Sequence, residues 1–352
     1  ASDVYKRQGR NGHLQSIKER INWDIKRLGN IISHWENKQI SYTADEIISV
    51  FQKAANEQTL FNFMNGITAQ LRQMGKHRTS ETYHATLRSF MQFRENKDIL
   101  LDEIDSDLML MYEAWLRNRG LSKNSSSFYM RILRAVYNRA VEKELTSNRN
   151  PFKHVYTGID KTVKRAISLK AIKKIKNLDL SLQPALDFAR DMFLFSFYTR
   201  GMSFIDMAHL KKKDQQNGIL SYRRRKTGQQ LLVKWEKCMQ EIADKHKTDY
   251  GSPYLLQILK HPYDNRSQYK NALYRTNKNL KEVAKLADIS IPLTLYVARH
   301  SWASIAKSKN IPISVISEGM GHDSEMTTQI YLASLDNSVV DRANTQILRD
   351  LL

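Results

Sequence analysis

A tyrosine near the end of the chain follows a histidine by nine residues, in apolar company. The pair is His322 and Tyr331, and Thr327, Thr328 and Gln329 lie between them. A phenol has a pKa of about 10 in water, so it attacks a phosphodiester only where cationic donors stabilise the charge that develops on the phosphoryl oxygens. Such chemistry therefore needs arginine, lysine or histidine side chains from other parts of the chain.

Three earlier segments carry such side chains beside apolar runs. Arg299 follows a mostly apolar run and is predicted to begin a helix. Lys226 lies in a Lys-Thr-Gly turn within 219–233, where two strand-like runs flank the turn. Arg200 follows the apolar stretch 183–198, which we expect to be a buried helix. Together these segments could surround a phosphate with positive charge.

The order and wording of the segments resemble the catalytic domain of the tyrosine recombinases, also called phage-type integrases. By this resemblance Arg299 matches the second arginine of the family, His322 its late histidine, Tyr331 its nucleophile and Lys226 its hairpin lysine. The sequence Thr-Arg-Gly-Met-Ser-Phe at 199–204 is similar to that of the family members found in conjugative transposons. The resemblance is close over the C-terminal half of the chain and looser before it.

Two positions depart from the family pattern. When Asp206 is aligned with the acidic residue that follows the first arginine by three, the arginine position falls on Ser203. Arg200 lies one turn earlier, and a long guanidinium can still reach a phosphate, so that role stays open between the two. Tyr296 lies three residues before the second arginine, at a position where the family usually has histidine. A phenol cannot replace an imidazole as acid or base near neutral pH. General-acid work then rests more heavily on Lys226.

Each candidate also has an ordinary structural explanation. Tyr296 could pack instead of donating to a phosphate, His322 could cap a helix end, and Arg299 could pair with an acid. Lys226 could be one of the many exposed lysines found in turns. The neighbouring His300 is expected to pack or to orient another residue. The grouping of the four segments favours the catalytic interpretation for His322, Arg299 and Lys226. For Tyr296 packing is slightly favoured over a contact with the phosphate, and His300 is left out of the catalytic set.

Charge points to a polyanionic partner. The formal net charge is +20 at pH 7, the isoelectric point is about 9.8 and the mean hydropathy is -0.55, which favours double-stranded DNA over a membrane. The basic residues cluster at 161–176, 211–213 and 223–226. Such a run alone is usually a solvated helix face, but these runs flank the segments described above. The predicted DNA contacts are basic residues of the helical region, linker and hairpin: Arg131, Arg134, Lys164, Arg165, Arg223, Arg224 and Arg225.

Cysteine and histidine patterns predict neither disulfides nor a metal site. Cys238 is the only cysteine, so an intrachain disulfide is impossible and a reducing cytoplasm fits. The ten histidines show no metal-ligand spacing. A mechanism without metal or cofactor is expected.

The predicted fold is mainly α with two domains. Residues 1–8 look like the translation of a transposon-end sequencing adapter, and no function is given to them. Residues 9–55 are predicted to be the remnant of an N-terminal arm-binding region or a linker helix. Residues 56–158 resemble the helical, SAM-like core-binding domain of the family, although a generic helical bundle describes them equally well. Residues 163–352 are expected to form the α+β catalytic domain with a small β-sheet or hairpin.

Local signals predict where the helices of the first domain begin and end. Gly75 is expected to close the first helix and either Thr79 or Ser80 to cap the second. The fourth helix is predicted to begin after Ser122 and to end at 150–151, where a proline follows an asparagine. Its predicted buried residues are Phe128, Ile132, Val136, Tyr137 and Ala140.

The resemblance implies DNA strand exchange. Tyr331 would attack the scissile phosphate to give a 3'-phosphotyrosine, and Lys226 would help to protonate the departing 5'-hydroxyl. The family works as a tetramer on specific double-stranded sites, so a homotetramer is expected, and a host DNA-bending protein is an open further partner. The apolar tail 334–352 is expected to dock on a neighbouring subunit. Two alternatives remain at this point: a type IB topoisomerase, or a DNA-binding protein with a decayed site. Neither the recognition sequences nor the choice among integration, excision, inversion and dimer resolution follows from the sequence.

Overall fold

The computed structural model describes most of the chain. It covers residues 28–56, 59–160, 165–248, 251–259 and 265–332, with eight separate positions near the termini, and it gives only the backbone at 52–56, 265, 330 and 331. The chain divides into two compact units, Ala1–Asp160 and Lys161–Leu352, and each has its own hydrophobic core. In the described ranges no helix is both long and apolar enough to cross a membrane. The predicted mainly α fold is confirmed.

The first unit is helical throughout. Residues 28–37 are helical and are followed by α1 (Ala44–Asn56), α2 (Leu60–Gln73), α3 (His77–Phe93), a 3-10 turn at Leu101–Glu103, α4 (Ser106–Asn118) and α5 (Lys123–Glu142). Aromatic rings fill its core, where Phe90 meets Tyr112 edge-on with 4.9 Å between ring centroids. Both rings are fully buried, so this contact holds α3 against α4.

One of the two predicted helix boundaries at the α2–α3 turn is confirmed. Gly75 ends α2 in the left-handed region, with a φ of 71°, as a C-terminal glycine does. The prediction that Thr79 or Ser80 caps the next helix is wrong, because α3 already begins at His77. Ser80 is buried inside the helix and donates to the carbonyl of Thr68 at 3.0 Å. Its hydroxyl joins two helices instead of starting one.

Two predictions for α5 are wrong. Phe128 is 37% exposed, whereas Ser127 is fully buried and donates to the carbonyl of Gly158 at 2.5 Å. The rest of the predicted stripe is confirmed, because Ile132, Val136, Tyr137 and Ala140 are buried. The helix ends at Glu142, well before 150–151, because Glu144 adopts a left-handed φ of 55°.

The second unit surrounds one buried helix. In chain order it contains α6 (Leu169–Lys176), α7 (Pro184–Tyr198), α8 (Phe204–Ala208), a 3-10 turn at Lys212–Asp214, β1 (Gln215–Gln216), β2 (Ile219–Arg223), β3 (Gln230–Lys234), α9 (Lys237–Lys245), α10 (Asn265–Leu286), α11 (Leu295–Ser308), α12 (Ile313–Met320) and α13 (Glu325–Leu332). The predicted apolar helix is α7, whose Met192, Phe193 and Phe195 are fully buried. It packs against α6, α9, α10 and α11. Because four helices pack against α7, its C-terminal end is held firmly, and the α7–α8 loop begins there.

The predicted β element forms two strands of a three-stranded antiparallel sheet in the order β1-β2-β3. Tyr222 pairs with Leu231, and Arg223 pairs with Gln230. Buried and exposed residues alternate along β3, as expected for a sheet with one face on the core. The connecting turn at 224–229 contains the Lys-Thr-Gly sequence.

Candidate active site

Arg299 lies buried at the centre of the candidate site. The prediction that it begins a helix is wrong, because α11 starts at Leu295 and Arg299 is in its second turn. The residue is only 5% exposed. Its Nη1 donates to the carbonyl of Gly201 and its Nη2 to the carbonyl of Met320, both at 2.7 Å. Two carbonyls from distant parts of the chain thus fix the plane of the guanidinium.

The α7–α8 loop passes directly against α11. Arg200 and Gly201 both adopt left-handed backbone conformations, with φ values of 61° and 77°. A Cβ atom at Gly201 would lie 2.7 Å from both Cα and Cγ of Arg299, which is closer than such atoms approach. The side chain of Arg200 reaches the end of α12, where its Cδ lies 3.6 Å from the position that a Cβ of Gly319 would take. The loop therefore brings a second arginine to the side of α12 that faces Arg299.

Ser203 and Asp206 form the N-terminal cap of α8. The hydroxyl of Ser203 donates to Oδ2 of Asp206 at 2.6 Å and accepts from its backbone N–H at 3.4 Å. The other carboxylate oxygen of the buried Asp206 accepts from the backbone N–H of Arg225 at 2.9 Å. The side chain of Ser203 is engaged in this cap, and Asp206 ties α8 to the β-hairpin. Sequence reasoning gave Asp206 no contact with the hairpin.

His322 follows the C-terminal glycine of α12. Its backbone N–H donates to the carbonyl of Ser317 at 3.0 Å, its Nδ1 lies 2.7 Å from Oγ1 of Thr328, and its Nε2 lies 3.0 Å from Nη2 of Arg299. A guanidinium can only donate, so Nε2 is the acceptor, and we assign the ring proton to Nδ1. Partial burial, together with the positive charges of Arg299, Arg224 and Lys226, lowers the pKa of His322 to about 4. The imidazole is therefore neutral near pH 7.

The hairpin turn rests on the loop that holds His322. Arg224, only 7% exposed, donates from Nη1 to the carbonyl of Gly321. A Cβ atom on Gly321 would lie 2.9 Å from Cδ1 of Leu231 and 3.2 Å from Cδ of Arg224, so the hairpin and the loop are in close contact. Lys226 is exposed, and its charge contributes to the lowered pKa of His322. The predicted lysine and histidine therefore lie within electrostatic range of each other.

Tyr222 of β2 is a buried residue close to these groups. Burial and the negative charge of Asp206 raise the pKa of its phenol, while the positive charges of Arg299, Arg224 and Arg200 oppose the rise. One buried side chain therefore lies within electrostatic range of three arginines and an aspartate. Sequence reasoning named Tyr222 only as part of a strand, although its alternation with Leu220 indicates an inward position.

Comparison with known proteins identifies this arrangement. Residues 59–174 match the model of the phage integrase SAM-like domain, and residues 190–338 match that of the phage integrase family. The chain belongs to the phage integrase family. This is the family of tyrosine recombinases that the sequence motifs predict, so the predicted family is confirmed.

Relatives and solved structures agree with this assignment. Tyrosine recombinase XerA of Pyrococcus furiosus is 27% identical over 67% of this chain and 79% of its own length. A lambda integrase tetramer bound to a Holliday junction matches with a TM-score of 0.60 and 16% identity, over 80% of this chain and 79% of that one. The Tn1549 transposon integrase in complex with a circular intermediate DNA matches with a TM-score of 0.57 and 15% identity, over 83% and 99% of the two chains. At these identities the structural matches show the fold.

The predicted nucleophile of this integrase-family chain lies on α13. The backbone of Tyr331 is helical, while its side chain lies outside the described residues. Thr328, which contacts His322, precedes it by three residues and therefore lies on the same face of the helix. Tyr296 is 58% exposed, and its ring lies edge-on to that of His300, with 4.7 Å between centroids. The catalytic roles of Tyr331 and Tyr296 stay predictions.

The predicted DNA contacts of the integrase differ in their surroundings. In the helical unit, Arg134 is exposed and donates to Oγ1 of Thr157 at 3.0 Å, whereas Arg131 is partly buried and its Nε has no hydrogen-bond partner. Arg165 is exposed, and Lys164 lies outside the described residues, as does nearly all of the tail 334–352.

The three hairpin arginines also differ from one another. Arg223 and Arg225 are exposed, and Nη1 of Arg223 donates to the carbonyl of Gly228 within the turn at 2.9 Å. Arg224, between them, is buried on Gly321. Two of the three can therefore meet a DNA backbone directly, while the third points into the protein.

Proposed function

We propose that this chain is a site-specific DNA recombinase that cleaves and rejoins double-stranded DNA through a 3'-phosphotyrosine on Tyr331, and so integrates or excises a mobile element. The observation that supports it most strongly is the convergence on Arg299. The α7–α8 loop, the β-hairpin and the α12–α13 loop all bring polar or cationic groups to this one guanidinium, as phosphoryl transfer by a phenol requires. Family membership supports the same reaction.

Catalysis in this site is mainly positioning and electrostatic stabilisation. The phenolic oxygen of Tyr331 forms a bond to the scissile phosphorus, and the bond from phosphorus to the 5'-oxygen breaks. Arg299 and Arg200 hold the non-bridging oxygens, with Arg200 supplying the charge that Ser203 cannot. The ammonium of Lys226 donates a proton to the departing oxygen. A 5'-hydroxyl of a partner strand then attacks the phosphotyrosine, and the same groups act in reverse.

The neutral His322 contributes differently from an arginine. With its proton on Nδ1 and held by Thr328, it presents Nε2 as an acceptor beside Arg299. It therefore orients the guanidinium without adding a second charge next to it. Its depressed pKa keeps this role available throughout the physiological pH range.

The domain roles follow the two family matches. We assign core-site binding to 56–158 and catalysis to 163–352, with a homotetramer on two duplexes as the working assembly. The lambda integrase structure, a tetramer on a Holliday junction, supports that assembly, and the Tn1549 match supports the conjugative-transposon branch. The single cysteine of the chain suits a reducing cytoplasm.

A covalent-trapping selection tests the function without knowledge of the site. The chain is incubated with duplexes of random sequence that carry a nick at a fixed position, so that the short strand released by cleavage diffuses away and the adduct accumulates. Protein-linked DNA is separated with detergent and sequenced. We expect adducts with a defined sequence, joined through the 3' phosphate, and none with Tyr331→Phe.

The selection also separates the alternatives. If the chain is a DNA-binding protein with a decayed site, neither the unmodified chain nor Tyr331→Phe will give an adduct. A type IB topoisomerase would give adducts without a shared sequence, and it would relax supercoiled plasmids equally well with or without the selected site. Either result would overturn the recombinase assignment.

A further inference from the structure

We propose that Arg224 is a positioning residue, which fixes the Lys226 turn on the loop of His322 so that the lysine can reach the departing 5'-oxygen. The proposal rests on the recombinase function above and goes beyond it, since that function gives Arg224 no role and the sequence predicts it only as a DNA contact. It assigns to this side chain a bond inside the protein instead of one to DNA.

Burial and bonding separate Arg224 from its neighbours. Arg223 and Arg225 are exposed, whereas Arg224 is 7% exposed and donates to the carbonyl of Gly321. A buried guanidinium that loses its acceptor leaves a desolvated charge unpaired. The bond to Gly321 therefore fixes the side chain of Arg224 and also fixes the loop that carries His322.

The turn is closed tightly behind this anchor. The backbone N–H of Arg224 donates to the carbonyl of Gln229 at 2.8 Å, and the N–H of Gly228 donates to the carbonyl of Arg224 at 2.7 Å. Lys226 lies at the middle of the segment between these bonds. Any shift of Arg224 relative to Gly321 therefore moves the lysine as well.

Other polar groups of the turn do not provide a substitute. Among the described residues, Oγ1 of Thr227 and Oε1 of Gln229 are buried without a hydrogen-bond partner. Asp206 anchors the turn from the other side through the backbone N–H of Arg225, but it attaches the turn to α8. Arg224 supplies the bond that joins the lysine turn to the loop of His322.

The close contact at Gly321 supports a fixed connection between the lysine turn and the loop of His322. The glycine has a φ of 63°, and the space where its Cβ would lie is occupied by Leu231 and Arg224. Arg224 also contributes to the lowered pKa of His322. The lysine turn and the histidine loop thus meet without room for a side chain between them.

Leaving-group chemistry distinguishes a positioning role from a role in binding phosphate. In the cleavage step Lys226 transfers a proton to the 5'-oxygen as its bond to phosphorus breaks. A sulfur atom in that bridging position leaves as a thiolate and needs no proton. A variant that misplaces only the lysine should therefore be slow on the oxygen substrate and recover on the sulfur substrate.

The experiment measures single-turnover cleavage of a duplex enriched by the selection above, with either oxygen or sulfur at the bridging 5' position. We expect Arg224→Gln to slow oxygen cleavage about 10- to 100-fold and to regain most of that loss with sulfur, as Lys226→Ala should. Arg224→Lys keeps the charge but not the planar fork, so we expect a smaller loss with the same recovery. Arg225→Gln removes the same charge from an exposed position of the same turn and keeps the backbone bond to Asp206, so its ratio of oxygen to sulfur rates should stay that of the unmodified chain.

Several results would overturn the proposal. Equal losses on both substrates would mean that Arg224 acts on the phosphate or on folding, and an unchanged oxygen rate would mean that it does not position the lysine. Thermal unfolding of each variant identifies a folding defect, and if Arg224→Gln does not fold, the ratio for Arg224→Lys decides. Failure of the unmodified chain to form any adduct would instead contradict the proposed function.

Discussion

Gly201 lies where the backbone of the α7–α8 loop passes against α11. Its φ of 77° is unfavourable for any L-residue, and a Cβ would collide with the backbone and side chain of Arg299. Gly218 in the β1–β2 turn has a similar φ of 70°, but nothing lies within 4 Å of the position of its Cβ. The two glycines therefore separate backbone strain from displacement of Arg299.

We expect Gly201→Ala to reduce DNA cleavage at least 100-fold, because a shift of about 1 Å in a catalytic group costs that much. Gly218→Ala should lose only about 1 kcal/mol of unfolding free energy from the strained backbone and retain its cleavage rate. Urea unfolding and single-turnover cleavage measure the two effects. Equal activity of the two variants would show that Arg299 does not need the close approach of the loop.

At the scale of single residues, the sequence predicted which segments meet better than it predicted the contacts between them. Arg299, His322 and Lys226 come together as their segments predicted. The sequence analysis predicted Arg224 to contact DNA, although the residue continues the alternation of Leu220 and Tyr222 and so falls on the inward face of the strand. The bond from the N–H of Arg225 to Asp206 was not available in the sequence, since it depends on how α8 packs beside the hairpin.

At the scale of elements, hydrophobic periodicity predicted α7 and the β-hairpin, because each buries one continuous face. Predictions from hydroxyl side chains were less reliable. Ser80 was expected to cap a helix, but it donates to Thr68 on the neighbouring helix. A serine bonds to its own helix or to another according to tertiary contacts that local sequence does not contain.

The junction of α7 and α9 carries a buried ionic network that the sequence did not reveal. Asp191 on α7 accepts from Nε of Arg190 at 2.9 Å, from Nζ of Lys245 at 2.8 Å and from Nε2 of His246 at 2.8 Å. Burial raises the pKa of this carboxyl, but the hydrogen bonds from His246, Lys245 and Arg190 outweigh it and lower the pKa to about 2. The ionised form is therefore favoured by folding.

We expect Asp191→Asn to lower the unfolding free energy at pH 7 by about 2 kcal/mol, because it removes the carboxylate whose pKa folding lowers. Arg190 and Lys245 keep Asp187 as an ion-pair partner, so the loss is smaller than for a buried charge left unpaired. Since the folded pKa lies below the unfolded value, the contribution is fully present above about pH 4 and is lost as the pH falls towards 2. Urea unfolding at a series of pH values should show the difference from the unmodified chain shrinking over that range.

An exposed ion pair provides the control for this network. Asp288 pairs with Lys174 at 3.4 Å, and its side chain is 96% exposed. Asp288→Asn should change the unfolding free energy by less than about 1 kcal/mol at any pH. Similar losses of unfolding free energy in the two variants would contradict a stabilising role for the network. A loss for Asp191→Asn that does not depend on pH would contradict it as well.

At the scale of the whole molecule, the net charge of +20 predicted a polyanionic partner but not which cations face it. Composition counts a buried arginine and an exposed one equally. Apart from Arg299, which meets the scissile phosphate in the proposed mechanism, we expect the exposed arginines to release the counterions when DNA binds, because they can reach the backbone phosphates. The salt dependence of binding therefore reports how the charge is distributed, and not only how much there is.

The hairpin offers a direct measurement of this distribution. Arg223 and Arg225 are exposed, and we expect Arg223→Gln and Arg225→Gln each to reduce the slope of log K against log salt for duplex binding by about 0.9. Arg224→Gln removes the same charge from between them, but its side chain lies on Gly321, so its slope should stay close to that of the unmodified chain. Binding of one fluorescent duplex over a salt series measures all three slopes. If Arg224→Gln lowered the slope as much as its neighbours do, its guanidinium would be a phosphate contact, and the hairpin would present all three arginines to DNA.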